Sequence, residues 1–423
     1  MKFLSIDDCS AALVELTQNK RQQHGGKLTT DLAARLAEFV GSPHKKLNVI
    51  HIAGTSGKTS TSYYVSSLLQ ASGLKVGLTV SPHIHSIAER ALVNGRTLED
   101  EVYLAYCREF YSYVHESGLA VSYFEFMMVF ALWVFMKEDV DYAVIETGLG
   151  GLYDASNICQ QPNKLCLITD IGLDHTHVLG NSLYEIATQK AGIVWKGNTV
   201  VAYRQSNDVT RVIEERVAEQ GAVWVKAEMQ QFDDASSLPR FQQRNWHLAF
   251  KAYQTIARRD GLDELSEEQV AGTQHTEVPA RMEHYSVNGK VIIIDGAHNE
   301  QKMQTFFDSF TRLYPGIRPS VLLSLKEGKD LEAIAPLIVS HASNVIATEF
   351  TVEQDMPTGA RSADEIATYL RSHGMSDVSV QQGTQKALDI MLDAKSDMIL
   401  VIGSFFLASE VSKLLKKKQL LAR

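Results

Sequence analysis

Short apolar runs rich in β-branched residues alternate along the chain with longer segments in which apolar positions recur at helical spacing. Runs of the first kind predict buried strands, and segments of the second kind predict amphipathic helices. Strands and helices that alternate at these lengths are typical of parallel sheets with helices on both faces. The pattern therefore predicts an α/β protein whose elements form two groups, joined around residues 272–284.

The first group contains strands predicted at 47–52, 75–80, 141–146, 164–170 and 199–202, with helices at 4–19, 29–40, 57–70, 97–117, 124–138, 182–190, 207–219 and 241–261. In the second group the predicted strands are 290–295, 319–325, 343–348, 377–381 and 397–402, and the helices are 299–313, 330–340, 362–372, 383–394 and 405–418. The pattern leaves residues 220–240 ambiguous. These groups predict an N-terminal domain at 1–276 with a mostly parallel sheet and a smaller C-terminal α/β domain at 277–423.

Composition narrows the class of protein. The 423 residues are 45% hydrophobic and 22% charged, which is ordinary for a globular protein with a substantial core. A net charge of −9 and an isoelectric point near 5.9 argue against a general nucleic-acid binder, which needs a basic face. The longest apolar run, 126–136, is shorter than the roughly 18 residues of a membrane span and predicts a buried helix.

The cysteines and the first residues bear on the compartment. The four cysteines, at 9, 107, 159 and 166, form no C-x-x-C pair and fit a reducing environment. The start MKFLSIDDCS contains Asp7 and Asp8, so it predicts no signal peptide. We therefore expect a cytoplasmic protein that does not enter a membrane.

The segment LNVIHIAGTSGKTS, residues 47–60, combines a predicted strand, a turn with Gly54 and Gly57, and the start of a helix. Glycine lets the backbone wrap an anion, the helix N-terminus presents free N–H groups, and Lys58 adds a positive charge. The hydroxyl of Thr59 is placed to meet a metal ion carried by the phosphates. Only two residues separate the glycines, so the full Walker A spacing is absent, but the context predicts a nucleotide site.

Polar side chains follow four successive strands of the first group. They are Lys58 and Thr59 after the first strand, Ser81, His83 and His85 after the second, Glu146 at the end of the third, and Asp170, Asp174 and His175 after the fourth. Ligands of open α/β sheets bind beyond the carboxyl ends of the strands, so we expect these groups to meet at one edge. Oxygen-rich groups near a nucleotide suit Mg²⁺, which takes few protein ligands. Alone, Ser81 could close a turn and His175 could cap a helix.

Further candidate residues lie outside these strand ends. Lys190 ends a helical stretch, where a lysine is also favourable to the helix dipole. In the second group, strand 290–295 ends at Asp295, His298 follows it, and Arg281 lies just upstream. A site between two domains would place Arg281, Asp295 and His298 across from the phosphate loop.

These segments together resemble the folylpolyglutamate synthase/dihydrofolate synthase family, within the wider Mur ligase group of ATP-dependent amide ligases. The resemblance rests on stretches that cover nearly the whole chain in the family's order: HIAGTSGKTS (51–60), SPHIHSIAER (81–90), SYFEF (122–126), VIETGLGGLYDASN (144–157), LDHTHVLGNSLYEIATQKAGI (173–193), QQRN (242–245), PARME (279–283), IIIDGAHN (292–299) and VIGSFFLASEV (401–411). It implies an N-terminal P-loop ATPase domain and a Rossmann-like C-terminal domain. It also implies ATP-driven addition of L-glutamate to a folate or to dihydropteroate through an acyl phosphate, by an enzyme that we expect to be a monomer.

The resemblance implies roles for individual residues. Lys58, His175 and Lys190 would be catalytic, with Lys190 carbamylated. The predicted ATP contacts are Gly54, Thr55, Ser56, Gly57, Lys58, Thr59, Ser60, Asn245, Arg281, Asp295 and His298. Two Mg²⁺ ions would be held by Thr59, Ser81, Glu146, His175 and Lys190. The predicted contacts of the folate or pteroate are Ser122, Tyr123, Phe124, Glu125, Tyr153, Asp154 and Ala155.

Departures from the family pattern leave alternatives open. Ser56 and Thr59 stand where the family usually has asparagine and a third glycine, which makes the loop more similar to that of the peptidoglycan-building Mur ligases. One alternative is therefore a Mur-type ligase that adds an amino acid to a UDP-linked muramoyl precursor. Another is a non-catalytic ATP-binding regulatory protein; the absence of an [NT]-K-x-D string argues against a GTPase switch.

Overall fold

The structure is a computed structural model that describes residues 3–18, 29–228, 233, 236, 238–351 and 359–421. The chain divides into two compact units. The first unit consists of Met1–Asp234 and Gln242–Thr276, and the second of Ala235–Phe241 and Glu277–Arg423. Each unit is an α/β structure built on its own mostly parallel sheet.

The elements assigned to the first unit, in chain order, are α1 Ile6–Gln18, α2 Asp31–Phe39, α3 Pro43–Lys46, β1 Val49–Ala53, α4 Lys58–Ala71, β2 Val76–Thr79, β3 Leu92–Val93, α5 Asp100–Ser117, α6 Tyr123–Lys137, β4 Tyr142–Glu146, β5 Leu165–Ile168, α7 Thr176–Leu179, α8 Leu183–Ala191, β6 Thr199–Tyr203, α9 Asn207–Gln220, β7 Val223–Ala227, α10 Arg240–Asp260 and α11 Glu267–Gln274. Within the described ranges their strands form a seven-stranded sheet in the order β3-β2-β4-β1-β5-β6-β7. All pairs are parallel except β2 with β3.

β1 has β4 on one side and β5 on the other. The chain leaves β1 toward β2, on the β4 side, and leaves β4 toward β5, so the connections from these two adjacent strands run in opposite directions. All five β1 residues are buried, as expected for a strand covered on both faces. The loop that follows such a strand opens into a crevice at the carboxyl edge of the sheet. This topology places the glycine-containing turn at 54–57 between Glu146, the last residue of β4, and Asp170, which follows β5.

α6 is the buried helix that the apolar run 126–136 predicted. Its eleven residues from Phe126 to Met136 are buried except Met136, which is partly buried. Edge-to-face ring contacts join α6 to α5, with Phe110 lying 5.0 Å from Phe126 and 5.3 Å from Phe130 between ring centroids. Across the described residues, no helix combines the length and the apolar character needed to cross a bilayer.

The second unit contains β8 Glu283–Val287, β9 Lys290–Ile294, α12 Glu300–Leu313, β10 Ser320–Leu323, α13 Leu331–His341, β11 Asn344–Ala347, α14 Ala363–Ser372, β12 Val378–Val380, α15 Thr384–Asp393, β13 Met398–Ile402 and α16 Phe405–Leu421. In its described part the sheet has six strands in the order β12-β11-β10-β13-β9-β8. Only the pairing of β8 with β9 is antiparallel. The fold class predicted from the alternating pattern is confirmed.

Several short or polar elements were not predicted. They are α3, β3, α7, β7, α11 and β8. β8 forms a hairpin with β9 through Asn288 and Gly289, which both have positive φ, at 52° and 76°. Asn-Gly between two strands is a strong hairpin signal from which β8 could have been predicted. β7 lies within the stretch that the pattern left ambiguous.

Candidate active site

The turn after β1 is shaped by two glycines that have no room for a side chain. A β-carbon at residue 54 would lie 1.8 Å from the Thr169 hydroxyl oxygen, and one at residue 57 would lie 2.3 Å from Asn245 Oδ1. Gly57 also has φ of 87°, in the left-handed region that favours glycine. Gly57 caps α4 without a side chain, so the first N–H groups of the helix remain available to an anion.

The backbone of this turn is tied to the loop after β5. The carbonyl oxygen of Asp170 accepts hydrogen bonds from the N–H groups of Thr55 and Ser56, over 2.8 and 3.1 Å. The Thr55 hydroxyl donates to the Gly172 carbonyl over 3.0 Å, and Gly172 N–H donates back to that hydroxyl over 3.1 Å. These four bonds fasten the glycine-containing turn to the loop after β5.

Two lysines converge on one carbonyl group in the turn. Lys58 Nζ donates to the Gly54 carbonyl oxygen over 3.1 Å, and Lys190 Nζ donates to the same oxygen over 2.8 Å. Lys190 is only 5% exposed, although it lies 136 residues along the chain from Gly54. The structure thus brings the two predicted catalytic lysines together at the phosphate loop.

Three of the predicted metal ligands meet beside the lysines. The Thr59 hydroxyl donates to Glu146 Oε1 over 3.0 Å, and the Ser81 N–H donates to Glu146 Oε2 over 3.1 Å. Glu146 is 2% exposed. The group therefore joins the ends of β2 and β4 to the start of α4, as the strand ends predicted.

The chemistry of this group fits a metal ion that is carried by a nucleotide. Among the described residues, no set of three or more His, Cys, Asp or Glu side chains could hold a metal. A single carboxylate with two hydroxyl-bearing residues suits Mg²⁺, which keeps several waters and takes the rest of its ligands from phosphates. Thr59, Ser81 and Glu146 therefore fit Mg²⁺ as a partner of bound ATP.

His175 lies farther along the loop that contacts Thr55. It caps α7 with φ of 51°, and its Nε2 is 3.9 Å from Asp174 Oδ1. The imidazole is 43% exposed, and its ring centroid is 6.3 Å from that of His177. On the second strand's loop, His83 is buried and its Nδ1 accepts from Arg90 Nε over 3.2 Å. The assignment of His175 to a metal stays a prediction.

The glycine-rich turn after β4 packs against the helix that carries Lys190. Leu152 N–H donates to the Gln189 carbonyl over 2.7 Å, and a β-carbon at Gly151 would lie 2.6 Å from that oxygen. Asn157 Nδ2 donates to the carbonyl groups of Leu152 and Gly192, over 3.0 and 3.1 Å. The turn thereby holds the end of α8 close to the phosphate loop.

A buried network that the sequence analysis missed supports this turn. His51 Nε2 lies 2.8 Å from Ser156 Oγ and 3.1 Å from Thr147 Oγ1, and the Ser156 hydroxyl donates to Asp154 Oδ1. Because that hydroxyl gives its proton to Asp154, its oxygen accepts the Nε2–H of a neutral His51. Burial, and secondarily the charge of Lys164, hold the pKa of His51 well below its usual value.

Most of the residues predicted to contact a folate or pteroate are buried or already hydrogen-bonded within the protein, and Phe124 and Tyr153 are the exceptions. Ser122 and Glu125 form the capping box of α6, and Asp154 accepts from Leu149 N–H over 2.8 Å within the glycine-rich turn. Burial raises the pKa of Asp154 against the effect of these hydrogen bonds. Tyr123 and Ala155 are also buried, whereas Tyr153 is 49% exposed. Phe124 reaches the turn, because a β-carbon at Gly148 would lie 2.4 Å from its ring.

In the second unit, the predicted ATP-contacting residues gather around the end of β9. Asp295 is buried and accepts from Met282 N–H over 2.9 Å and Ala297 N–H over 2.8 Å. Burial raises its pKa, while the nearby charge of Arg281 acts in the opposite direction. The Arg281 guanidinium lies 4.5 Å from the centre of the Phe405 ring, and the His298 ring is 5.5 Å from the same ring.

Two family models match the chain. The Mur ligase middle domain matches residues 52–255, and the Mur ligase glutamate ligase domain matches residues 280–405. Together they span both sheets and the loops described above.

Whole-chain relatives agree with these matches. The chain is 28% identical to the dihydrofolate synthase/folylpolyglutamate synthase of Bacillus subtilis, over 90% of this chain and 94% of the relative. It is 29% identical to a probable bifunctional folylpolyglutamate synthase/dihydropteroate synthase of Halobacterium salinarum, over 96% of this chain but 51% of that longer protein. The chain thus spans about half the length of the latter relative and nearly all of the former.

A solved structure shares the fold. It is the bifunctional folylpolyglutamate synthase/dihydrofolate synthase of Yersinia pestis, complexed with AMPPNP and a Mn ion. It is 24% identical, covers 96% of this chain and 98% of its own, and superposes with a TM-score of 0.80. Both family models are domains of the Mur ligase group, so the chain belongs to that group, and over nearly its whole length it is similar to enzymes named as folylpolyglutamate and dihydrofolate synthases.

Proposed function

We propose that this protein is an ATP-dependent ligase that joins L-glutamate to the carboxylate of a folate, of dihydropteroate, or of both. The observation that carries the proposal is the grouping of Thr59, Ser81 and Glu146 beside a turn on which Lys58 and Lys190 converge. Cations, hydroxyls and one carboxylate in this arrangement suit a triphosphate with its metal ion.

The reaction needs activation because a carboxylate is a poor electrophile and repels an incoming nucleophile. Transfer of the γ-phosphoryl group to the carboxylate gives an acyl phosphate, whose carbonyl carbon the free amine of glutamate attacks. An amide bond forms and inorganic phosphate leaves. Phosphoryl transfer depends mostly on positioning and charge neutralisation, which Lys58 and the N–H groups at the start of α4 supply.

Thr59, Ser81 and Glu146 would hold one Mg²⁺, and His175 with a carbamylated Lys190 would hold a second. Bound Mg²⁺ supplies neutralisation of charge on the phosphates. The Yersinia pestis enzyme with AMPPNP and a Mn ion supports the use of a nucleotide with a divalent metal.

Carbamylation of Lys190 has a physical rationale. Two ammonium groups on the Gly54 carbonyl oxygen repel each other. Addition of the neutral Lys190 amine to carbon dioxide, with release of a proton, would replace this repulsion by attraction between a carbamate and Lys58. The product is also an anionic oxygen ligand of the kind that suits a dication.

The remaining predicted residues are those proposed to contact the pterin ring and those proposed as further ATP contacts. Phe124 and the exposed Tyr153 flank the glycine-rich turn and offer flat apolar surface to a pterin ring. Ser122, Tyr123, Glu125, Asp154 and Ala155 would shape that surface, since they are engaged or buried. Arg281, Asp295 and His298 are proposed as ATP contacts of the second unit, and Asn245 as an ATP contact of the first.

The decisive assay is ATP-dependent incorporation of labelled glutamate, with dihydropteroate and tetrahydrofolate tested separately. We expect phosphate release and amide formation with at least one of them. A UDP-muramoyl precursor serves as the competing acceptor, and turnover of that compound alone would replace the folate assignment with a Mur-type one. ATP binding without phosphate release for any acceptor would contradict a ligase.

A further inference from the structure

Asp170 contacts two different parts of the first unit. Its backbone carbonyl accepts from the N–H groups of Thr55 and Ser56 in the phosphate loop. Its side chain forms a bidentate ion pair with Arg244, with Nε 2.7 Å from Oδ2 and Nη2 2.6 Å from Oδ1. One residue at the end of β5 thus links the phosphate loop to α10.

Arg244 is held in place by more than this ion pair. Its guanidinium lies 4.2 Å from the centre of the Tyr203 ring, and the Tyr203 hydroxyl donates to the Arg244 carbonyl over 3.1 Å. The charged groups are only partly accessible, with side-chain exposures of 19% for Arg244 and 29% for Asp170. A planar guanidinium that stacks on an aromatic ring while it binds a carboxylate with two parallel bonds has little freedom to move.

The next residue of α10 touches the phosphate loop directly. Asn245 is buried, and its Oδ1 would be 2.3 Å from a β-carbon at Gly57. α10 therefore meets the loop at two points: Arg244 through Asp170 to Thr55 and Ser56, and Asn245 to Gly57. Together these contacts cover three consecutive residues of the loop that precede Lys58.

We infer that Asp170 and Arg244 are positioning residues for the nucleotide. Their ion pair holds the phosphate loop and Asn245 in a fixed position relative to each other. Neither residue was among the predicted site residues. The inference rests on the proposed function only for its catalytic readout, because nucleotide binding can be measured without turnover. Displacements of about 1 Å in such an arrangement can cost a factor of about 10² in rate.

Three substitutions test the side-chain pair: Asp170→Asn, Arg244→Lys and Arg244→Ala. Asp170→Asn keeps the carbonyl that holds Thr55 and Ser56 but removes the charge, and Arg244→Lys keeps the charge but removes the bidentate geometry. We expect Asp170→Asn and Arg244→Ala each to raise the KM for ATP and the Kd for ATP by about tenfold or more, and Arg244→Lys to have a smaller effect. The KM for glutamate should change by less than about twofold, since the inference concerns only the phosphate loop. The double variant should be no worse than the worse single one, because the two residues act as a unit.

The same helix offers a matched control. Arg259 forms a bidentate pair with Asp260, at 2.7 Å for both bonds, and it also donates to the Asn163 carbonyl over 2.6 Å. It lies at the other end of α10, about 22 Å away along the helix axis at 1.5 Å per residue. Arg259→Ala should lower the melting temperature without changing the Kd for ATP.

The measurements are ATP affinity by calorimetry, steady-state kinetics for each substrate, and melting temperature by circular dichroism. Unchanged ATP affinity in folded Asp170→Asn and Arg244→Ala would overturn the inference. An equal loss for ATP and glutamate, or the same changes in Arg259→Ala, would also overturn it, because it would indicate only general destabilisation. Wild-type protein that binds ATP but fails to ligate would refute the proposed function, while the affinity comparison would still decide the inference.

Discussion

At the scale of single residues, the site is characterised by two lysine side chains that donate hydrogen bonds to one backbone carbonyl oxygen. Lys58 and Lys190 both donate to the Gly54 carbonyl, although they come from distant parts of the chain. The role of Lys58 at a nucleotide site was predictable from local sequence, because Lys58 follows a strand and a glycine turn at the start of a helix. Nothing local indicates that Lys190 reaches the same oxygen; its role in the sequence analysis came only from the family resemblance.

Replacement of Lys58 tests its contribution to phosphoryl transfer. We expect Lys58→Ala to lower the rate of ATP-dependent ligation by a factor of about 10² to 10³ or more, because it removes a preorganised charge at the developing transition state. Lys45→Ala is the control, since Lys45 is 61% exposed and pairs with Glu38 on the surface. Near-normal ligation by Lys58→Ala, measured as labelled glutamate incorporated, would remove Lys58 from the mechanism.

Lys190 requires a different experiment, because its predicted role is that of a carbamate. We expect Lys190→Ala to be nearly inactive and to regain part of its activity when small carboxylic acids are added to the assay. Such acids supply the anionic oxygen ligand that the variant lacks. Lys58→Ala treated with the same acids is the control and should gain nothing. Full unaided activity of Lys190→Ala would exclude the carbamate.

His51 gives a prediction about stability and pH. Its folded-state pKa lies below the unfolded value near 6.5, and its Nδ1 is buried with no hydrogen-bond partner among the described residues. Below that pH the unfolded chain binds the proton and the folded chain does not, so the free energy of unfolding falls as the pH drops from about 6.5 toward the folded-state pKa. Each such histidine contributes a slope of up to about 1.4 kcal/mol per pH unit.

Urea unfolding between about pH 5.5 and pH 7.5 measures that slope. Burial lowers the pKa of His44, His247 and His284 as well, so the wild-type slope has several sources. His51→Gln should make the slope shallower by the uptake of up to one proton, and His115→Gln, on the exposed face of α5, is the control. Equal slopes in the two variants would mean that His51 titrates normally in the folded protein.

At the scale of secondary-structure elements, the phosphate loop and α4 depend on the geometry of Gly57. A methyl group there would meet Asn245 Oδ1 at 2.3 Å and would stand on a left-handed backbone. We expect Gly57→Ala to weaken ATP binding by at least about tenfold, which corresponds to about 1.4 kcal/mol. Calorimetric titration with ATP measures this.

A matched glycine separates backbone strain from the clash at Gly57. Gly118 caps α5 with φ of 63°, and nothing lies within 4 Å of a β-carbon at that position. Gly118→Ala should therefore cost about 1–2 kcal/mol of stability from strain alone and leave ATP affinity unchanged. If Gly57→Ala binds ATP as well as Gly118→Ala does, the turn does not need glycine for the nucleotide.

Elements with a strong apolar pattern were predictable, and elements at the edges were not. β1 is buried throughout and is apolar except for His51, and α6 contains the continuous apolar run 126–136, so both were predictable. β8 has only Tyr285 buried among its five residues, and α11 has only Thr273, so neither shows an apolar stripe. The strand ends likewise predicted that Thr59, Ser81 and Glu146 would meet. The pairing of Asp170 with Arg244 spans 74 residues and that of His51 with Ser156 spans 105, and no local pattern encodes such distances.

At the scale of the whole molecule, two units each repeat one design: a mostly parallel sheet that ends in an antiparallel edge strand, β3 in one and β8 in the other. Parallel connections require long crossovers, and these provide the helices on both faces. The monomeric state and the cytoplasmic location stay predictions. Light scattering should give a mass near 47.0 kDa for the monomer, with a doubled mass as the contrary result.

The Gly54 carbonyl shared by Lys58 and Lys190 has a thermodynamic consequence. A triphosphate that attracts Lys58 changes the electrostatic surroundings of Lys190, and a change in the charge of Lys190 alters how readily Lys58 turns to the phosphates. If Lys190 is carbamylated as proposed, linkage makes the effect reciprocal: the factor by which carbon dioxide shifts the affinity for ATP equals the factor by which ATP shifts the affinity of Lys190 for carbon dioxide. One peptide oxygen would couple the binding of a nucleotide to that of a dissolved gas.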